Sequence, residues 1–391
     1  MVPRPGVCAV RFAPAGRPGE DRGVRLPSSH PLSAARTAES PLVRAYQGVR
    51  GDRLPVWFMR QAGRSLPEYR ELRAGTAMLD ACLDPAMASE ITLQPVRRHG
   101  VDAAIFFSDI VVPLKLLGVD VDIVPGRGPV LGSPVRTGAE VARLTAVDPA
   151  VLDTAIAPVV EAVERTVAGL GELGDTPLIG FAGAPFTLAA YLVEGGPSKD
   201  HIRARTLMHA DPAAWADLMS WTAEVTGRFL RAQVLAGASA AQLFDSWAGS
   251  LSLADYLAHV QPASTRALSF AAELEYDAGG ETRRVPRVHF GVGTGELLPS
   301  MRDCGADAVG VDYRTPLDVA IDRLGGSTPV QGNIDPALLA APPAVLDAHV
   351  DDVIRRGQAA PAHVLNLGHG VPPETDPAVL TRLVRRVHDR G

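Results

Sequence analysis

A chain of 391 residues, 46% of them hydrophobic and 21% charged, has the make-up of a globular protein with a large core, which excludes disordered, collagenous and small disulfide-scaffold classes. A net charge of -6 argues against general nucleic-acid binding, which needs a basic surface to displace counterions from phosphates. Three scattered cysteines, Cys8, Cys82 and Cys304, form neither a disulfide framework nor a CxxC zinc motif; a reducing cytoplasm fits, and no metal is expected.

Residues 1 to 41 hold seven prolines, four glycines and six arginines without apolar periodicity. That composition reads as a disordered Pro/Arg/Gly-rich tail over residues 1–39, without the apolar run of a secretory signal. Order is expected from Ser40-Pro41, where a Ser cap, a Pro in the first helical turn and Gly48 bracket a short helix. The same punctuation recurs at Asp84-Pro85, Asp211-Pro212 and Asp376-Pro377, predicting helices through Arg98, Phe229 and Val387. Strand-length apolar runs lie between them, at Val56 to Met59, Ala103 to Phe107, Leu178 to Phe181 and Ala240 to Phe244. Four more follow at Val288 to Phe290, Ala308 to Val311, Pro329 to Gln331 and His363 to Leu367. Leu178 to Val193 is uncharged over 16 residues but is broken by Gly180, Gly183 and Pro185, and is short for a membrane span.

Eight strands alternating with helices predict a parallel α/β sheet, and their number predicts one (β/α)8 TIM-type barrel over residues 40–391. Polar residues and glycines follow six of the runs: Ser108-Asp109, Ala182-Gly183, Asp245-Ser246, Asp312-Tyr313, Gly332-Asn333 and Gly368-His369-Gly370. In a barrel these strand ends share the face that carries catalytic groups, although turns alone also favour such residues.

Arg60 and Arg64 stand four apart, which places them on one face of a helix, or, given Gly63, in a loop; Arg73 follows in LPEYRELR. Paired guanidiniums suit bidentate capture of carboxylates, and exposed arginines also serve merely as a solvated face. Asp109, between Phe107 and a very apolar Ile110 to Leu114, reads either as a helix cap or as a carboxylate in a low-dielectric site. His369 between two glycines has room for close ligand approach. Tyr191 and Ser246 do not stand out on residue logic alone.

PVWFMRQAGRSLPEYRELR at Pro55 to Arg73 and GFAGAPFTLAAYLVEGG at Gly180 to Gly196 resemble the two signatures of the uroporphyrinogen decarboxylase family, and FSDI, LFDSWAG and NLGHGVPPETDP match further segments in order. The resemblance runs from about Ser40 to the C-terminus. It implies a cofactor-free and metal-free barrel, usually a homodimer; the composition adds the expectation of a cytoplasmic setting with no nucleic-acid or membrane partner. Its substrate would be uroporphyrinogen III, whose four acetates become methyls to give coproporphyrinogen III. By motif position the resemblance assigns substrate contacts to Arg60, Arg64, Arg73, Tyr191, Phe244, Ser246 and His369, and the central carboxylate to Asp109. Arg60 and Asp109 would be the catalytic pair, with the proton coming from Arg60, from an acid formed at Asp109, or from water.

Two other readings compete. A zinc-dependent methyltransferase on a similar barrel would need a His-x-Cys and a distant Cys, and the chain has no His-x-Cys. A non-catalytic tetrapyrrole binder would have lost Asp109 or the arginines, and all are present.

Overall fold

A computed structural model describes residues 23–390. Among the described residues twelve strands are formed: β1 (Val24–Arg25), β2 (Ala104–Ile105), β3 (Val121–Val124), β4 (Gly128–Leu131), β5 (Leu178–Gly183), β6 (Ala240–Asp245), β7 (Leu274–Ala278), β8 (Glu281–Arg284), β9 (Arg287–Gly291), β10 (Ala308–Gly310), β11 (Val330–Gln331) and β12 (His363–Val364). Seven make a parallel α/β sheet in the order β12-β11-β10-β9-β6-β5-β2. All residues of β5, β9 and β10 are buried, as expected of parallel strands covered on both faces. Because the pairing is parallel throughout, Gly183, Asp245, Gly291, Gly310 and Gln331 end their strands on the same side.

The predicted strand at Val56 to Met59 is reduced to a bridge, in which Val56 pairs in parallel with Leu365. Leu365 N–H donates to Pro55 O at 2.9 Å, and Trp57 N–H to Leu365 O at 3.2 Å. On the other flank Asp102 N–H donates to Val56 O at 2.9 Å. This segment therefore bonds toward both edge strands of the curled sheet, β12 and β2.

The four predicted helix starts are formed. Ser40, Asp84, Asp211 and Asp376 accept from Val43, Met87, Ala214 and Ala378 N–H groups at 3.4, 2.9, 3.2 and 2.9 Å, each satisfying a donor that the first turn leaves free. The helices run Pro41–Tyr46, Pro85–His99, Pro212–Leu235 and Pro377–His388. No helix among the described residues is long and apolar enough to cross a membrane.

The expected tail over residues 1–39 is corrected for its second half, while residues 1–22 lie outside the described residues. β1 pairs in parallel with β7, and Leu26, Leu32 and Ala38 join the core. His30 Nε2 donates to Val234 O at 2.8 Å while its Nδ1 accepts from Leu32 N–H at 3.2 Å. The buried residues are spaced irregularly and their partners lie some 200 to 250 positions away, so no local period could announce them. The hairpins β3–β4 and β7–β8 are further additions. Gly279 and Gly280, both at positive φ (60° and 85°), link β7 to β8 in the turn geometry that a two-residue hairpin loop favours.

Candidate active site

The MRQAGR segment forms a turn rather than a helix. Gln61, fully buried, sets it: its side chain accepts from Phe58 N–H at 3.0 Å and donates to Ala103 O at 2.8 Å. Asn366 holds the other side, accepting from Met59 N–H at 2.9 Å. Buried Trp57 and Phe58 anchor the chain below, and Arg60 is pushed out at φ 61°, a conformation that is uncommon for a residue with a side chain and concentrates at functional sites. Its side chain runs across Gly370, where a Cβ would come within 2.4 Å of Arg60 Cδ. A glycine after His369 is thus the condition for this arginine path. Arg64 is exposed on the same loop. Arg73 ends the Pro67–Leu72 helix, with its guanidinium 5.6 Å from the Tyr69 ring and bonded to Thr76 O at 3.1 Å.

Asp109 follows β2 directly before the Val112–Leu116 helix. Its Oδ1 accepts from Val111 N–H at 3.1 Å, a turn contact of the capping kind. Among the described residues no donor reaches Oδ2. Burial pushes the carboxyl above the usual carboxylate range, against the opposing pull of the Val111 N–H and of Arg60 nearby. Such a group accepts a proton more readily than a solvated aspartate does.

Tyr191, on the Pro185–Glu194 helix after β5, shares this environment. Burial raises its phenol far above the ordinary value, the Asp109 charge adds to the rise and Arg60 opposes it, so the phenol is a hydrogen-bond donor at neutral pH. Its ring stacks on Trp247 at 3.8 Å, and the other neighbour of Trp247 is His201, stacked at 4.3 Å. Trp247 is placed by β6: Asp245, fully buried, accepts from Thr187 Oγ at 3.0 Å, and the same hydroxyl accepts from Trp247 N–H at 3.4 Å. Ser246 stands between these two fixed residues. Phe244 meets Phe181 and Phe290 edge-on at 5.4 and 5.8 Å.

His369 closes the group. Burial lowers its pKa, Arg60 and Arg314 lower it further, and Asp312 acts in the opposite sense, so the imidazole is neutral near pH 7. Asp312 is held by Gly293 N–H and Arg314 Nη1, each at 2.7 Å. Gly368 allows the approach of Tyr313, whose backbone nitrogen would lie 2.1 Å from a Cβ at that position.

Of the expected residues, the structure brings Arg60, Asp109 and Tyr191 into electrostatic reach of one another, and His369 into reach of Arg60. Burial raises the Cys82 thiol, the Asp109 charge adds to the rise and Arg73 opposes it, so this buried thiol feels both residues. No hydrogen bond or ion pair joins Arg64, Phe244 or Ser246 to Asp109. Sequence reasoning missed Trp247, which stacks on Tyr191, His201, which stacks on Trp247, and Arg314, which acts on His369. Asp312 is legible in the sequence only as a strand-end residue. The aromatic stack had a faint signal, Trp247 directly after the strand-end Asp245-Ser246, but its His201 partner is 46 positions away. Among the described residues the one group of three metal-type ligands is His209, Asp255 and His259; it contains no cysteine and makes no hydrogen bond or ion pair with Arg60, Asp109, Tyr191 or His369.

Comparisons with known proteins follow the same lines. A sequence model of the family described as "Uroporphyrinogen decarboxylase (URO-D)" matches residues 37–390. The chain is 70% identical over 372 residues to a uroporphyrinogen decarboxylase of Leifsonia xyli subsp. xyli (strain CTCB07), covering 93% of this chain and 98% of that protein. It is 65% identical over 353 residues to one of Arthrobacter sp. (strain FB24), covering 90% and 98%. Among solved structures, a methyltransferase from Methanosarcina mazei superposes with a TM-score of 0.71 at 21% identity, over 89% of this chain and 97% of that one, a likeness of fold alone.

Proposed function

Because the chain belongs to the uroporphyrinogen decarboxylase family, we propose that the cleft around Asp109 is where it performs that family's reaction. The reaction is the decarboxylation of the four acetate side chains of uroporphyrinogen III, giving coproporphyrinogen III and CO2 in the porphyrin and haem pathway. At each acetate the C–C bond to the carboxylate breaks, CO2 leaves, and a proton completes the methyl group. The pyrrole is its own electron sink: protonation at an α-carbon makes the ring cationic, the pair released with CO2 neutralises it as an exocyclic methylene, and a proton then adds to that methylene while the α-carbon gives its own proton back, so that one proton is consumed per acetate.

The geometric observation that carries the reading is Asp109, with one oxygen tied to Val111 N–H, the other free, and Arg60 and Tyr191 beside it. In our reading Oδ2 accepts from pyrrole N–H groups and opposes the transient cation, in a site where burial strengthens the interaction. Arg60, Arg64 and Arg73 orient carboxylates of the substrate, while Tyr191, Ser246 and neutral His369 supply hydrogen bonds. Phe244 is an apolar wall for the macrocycle. An acidic protein needs local cations for a ligand with eight carboxylates, and the Arg60 loop is where they cluster.

We read the sheet as a closed (β/α)8 barrel with Pro55–Trp57 as its eighth strand, on the strength of the hydrogen bonds that segment makes toward β12 and β2. The buried thiols of Cys82 and Cys304 suit a cytoplasmic setting, and a homodimer follows from the family resemblance. The test is anaerobic incubation with uroporphyrinogen III and chromatography of the oxidised products. A ladder from eight to four carboxylates is the expected result. Unchanged substrate under conditions where a relative turns over would reject the reading.

A further inference from the structure

We propose that His209, Asp255 and His259 form a binding site for one divalent transition-metal ion of the zinc type, outside the cleft and without part in the reaction. His209 lies in the last turn of the Ile202–Ala210 helix. Asp255 and His259 lie on the Leu253–His259 helix, four residues apart and therefore on one face. The two helices are separate in sequence and meet only through the fold. One ligand atom from each of the three residues lies within 4.8 Å of the other two. His209 Nε2 is already 3.4 Å from Asp255 Oδ1. Donors bound at ~2.0–2.1 Å in a tetrahedron sit roughly 3.4 Å apart, so one edge of the polyhedron has its final length. The remaining edges need closure of at most about an ångström and a half, within the freedom of surface rotamers.

Three further facts favour an ion over a plain surface pair. Among the described residues, none of the three donor groups is engaged in a hydrogen bond to another part of the protein, so binding breaks nothing. The helix end that carries His259 is fixed, because Trp215 Nε1 donates to His259 O at 3.2 Å, and Asp255 is itself only 19% exposed, which limits the freedom the ligands lose. The set of two imidazoles and one carboxylate selects zinc, nickel, cobalt or copper over magnesium or calcium. Three protein ligands leave the fourth position to water, the exterior being open at His209, whose side chain is 56% exposed.

The consequence is mechanical. The helix that carries His209 in its last turn begins beside His201, the residue stacked on Trp247, roughly 12 Å away along the helix. An ion bridging His209 to Asp255 and His259 ties that wall of the cleft to the helix that follows Ser246 and Trp247 in the chain. It binds the folded state and not the unfolded chain, so it raises stability in proportion to the logarithm of its concentration.

The experiment uses the full chain, dialysed against EDTA and then titrated with ZnCl2, with MgCl2 as control, by calorimetry and by thermal melting. One zinc ion per chain is expected, with a melting midpoint that climbs with zinc and ignores magnesium. His209→Gln, Asp255→Asn and His259→Gln should each weaken zinc binding by at least about tenfold, while turnover of each EDTA-treated variant stays at the wild-type level, which also shows that it is folded. Absence of stoichiometric binding in the wild type, or undiminished binding in the variants, overturns the site. Loss of turnover when the wild type is stripped with EDTA overturns its separation from the reaction.

Discussion

At Asp109 a single side chain is open to two assignments, and the structure supplies material for both. Its Oδ1 makes the turn contact with Val111 N–H that a merely structural aspartate would make. Its Oδ2 is free and its carboxyl is raised by burial beside Arg60, which a cap does not require. Asn has nearly the same shape and can keep the Val111 contact, so Asp109→Asn should cost ~1 kcal/mol of stability or less. Losing the charge opposite a pyrrole cation should raise the barrier by ~3 kcal/mol, about two orders of magnitude in rate. Turnover above about a third of wild type in a normally folded variant would remove the central-carboxylate mechanism. Arg64 is a different case, exposed and without a contact to Asp109. If it grips a substrate carboxylate, Arg64→Lys keeps the charge and loses the planar fork, and kcat/KM should fall about tenfold. Unchanged kinetics would place Arg64 on a solvated surface. Residue-level legibility was uneven for a physical reason. Arg60, Asp109 and His369 carry local marks: a paired arginine, a strand-end acid and flanking glycines. Tyr191, Trp247 and His201 acquire meaning only through stacking between β5 and β6 connections, and the alternation of a sequence carries no trace of which loops will meet.

At the scale of elements, the helices that open with Ser-Pro or Asp-Pro were legible because cap and first turn are local chemistry: the side-chain oxygen and the N–H it accepts from are two or three positions apart. Strand runs were legible because the parallel sheet buries both faces and so demands continuous apolar stretches. The N-terminal segment obeys neither rule. β1 is two residues long, and what fixes it is β7, a strand that appears far along the chain. Composition there is that of a tail, and tertiary contacts override it. The outcome is measurable at Leu32, which is fully buried between Pro31 and a polar stretch. Leu32→Ala removes buried methyl groups and leaves a cavity, so it should destabilise the protein by ~2–4 kcal/mol. Denaturant melts of the variant would show this directly. A loss under about 0.5 kcal/mol would mean that residues 23–39 lie on the surface without contributing to the core. The same reasoning predicts that deleting residues 1–39 lowers the melting temperature, the opposite of what the composition alone suggests.

At the scale of the whole molecule, buried histidines with opposite protonation states set the pH range in which the fold is stable. His289 and Asp245 are fully buried with Nε2 3.5 Å from Oδ2. His289 Nδ1 lies 3.2 Å from Met301 O, and a carbonyl only accepts, so Nδ1 carries a proton. The nitrogen facing a carboxylate is then best protonated as well. Burial alone would lower this pKa, but Asp245 and Cys304 reverse the effect and lift it to about 9. His30 and His363 behave in the opposite way. Each donates from Nε2 to a carbonyl, Val234 O and Gly332 O, and burial holds both neutral with pKa values near 4. The signs follow from proton counting. For His289 the folded state binds the proton more tightly than the unfolded chain, so its contribution is complete below pH ~6.5 and is lost as pH rises through 9. For His30 and His363 the unfolded chain binds the proton more tightly, so stability present above pH ~6.5 is lost as pH falls toward 4. The two effects leave a maximum near neutrality, with each limb worth up to ~3 kcal/mol per histidine. Melting temperature measured from pH 4.5 to 9.5 should therefore trace a dome. Asp245→Asn removes the partner that raises His289; it should lower the midpoint at pH 6 and flatten the alkaline limb while leaving the acid limb in place. A wild-type midpoint unchanged between pH 7 and 9.5 would show that His289 is neutral in the fold.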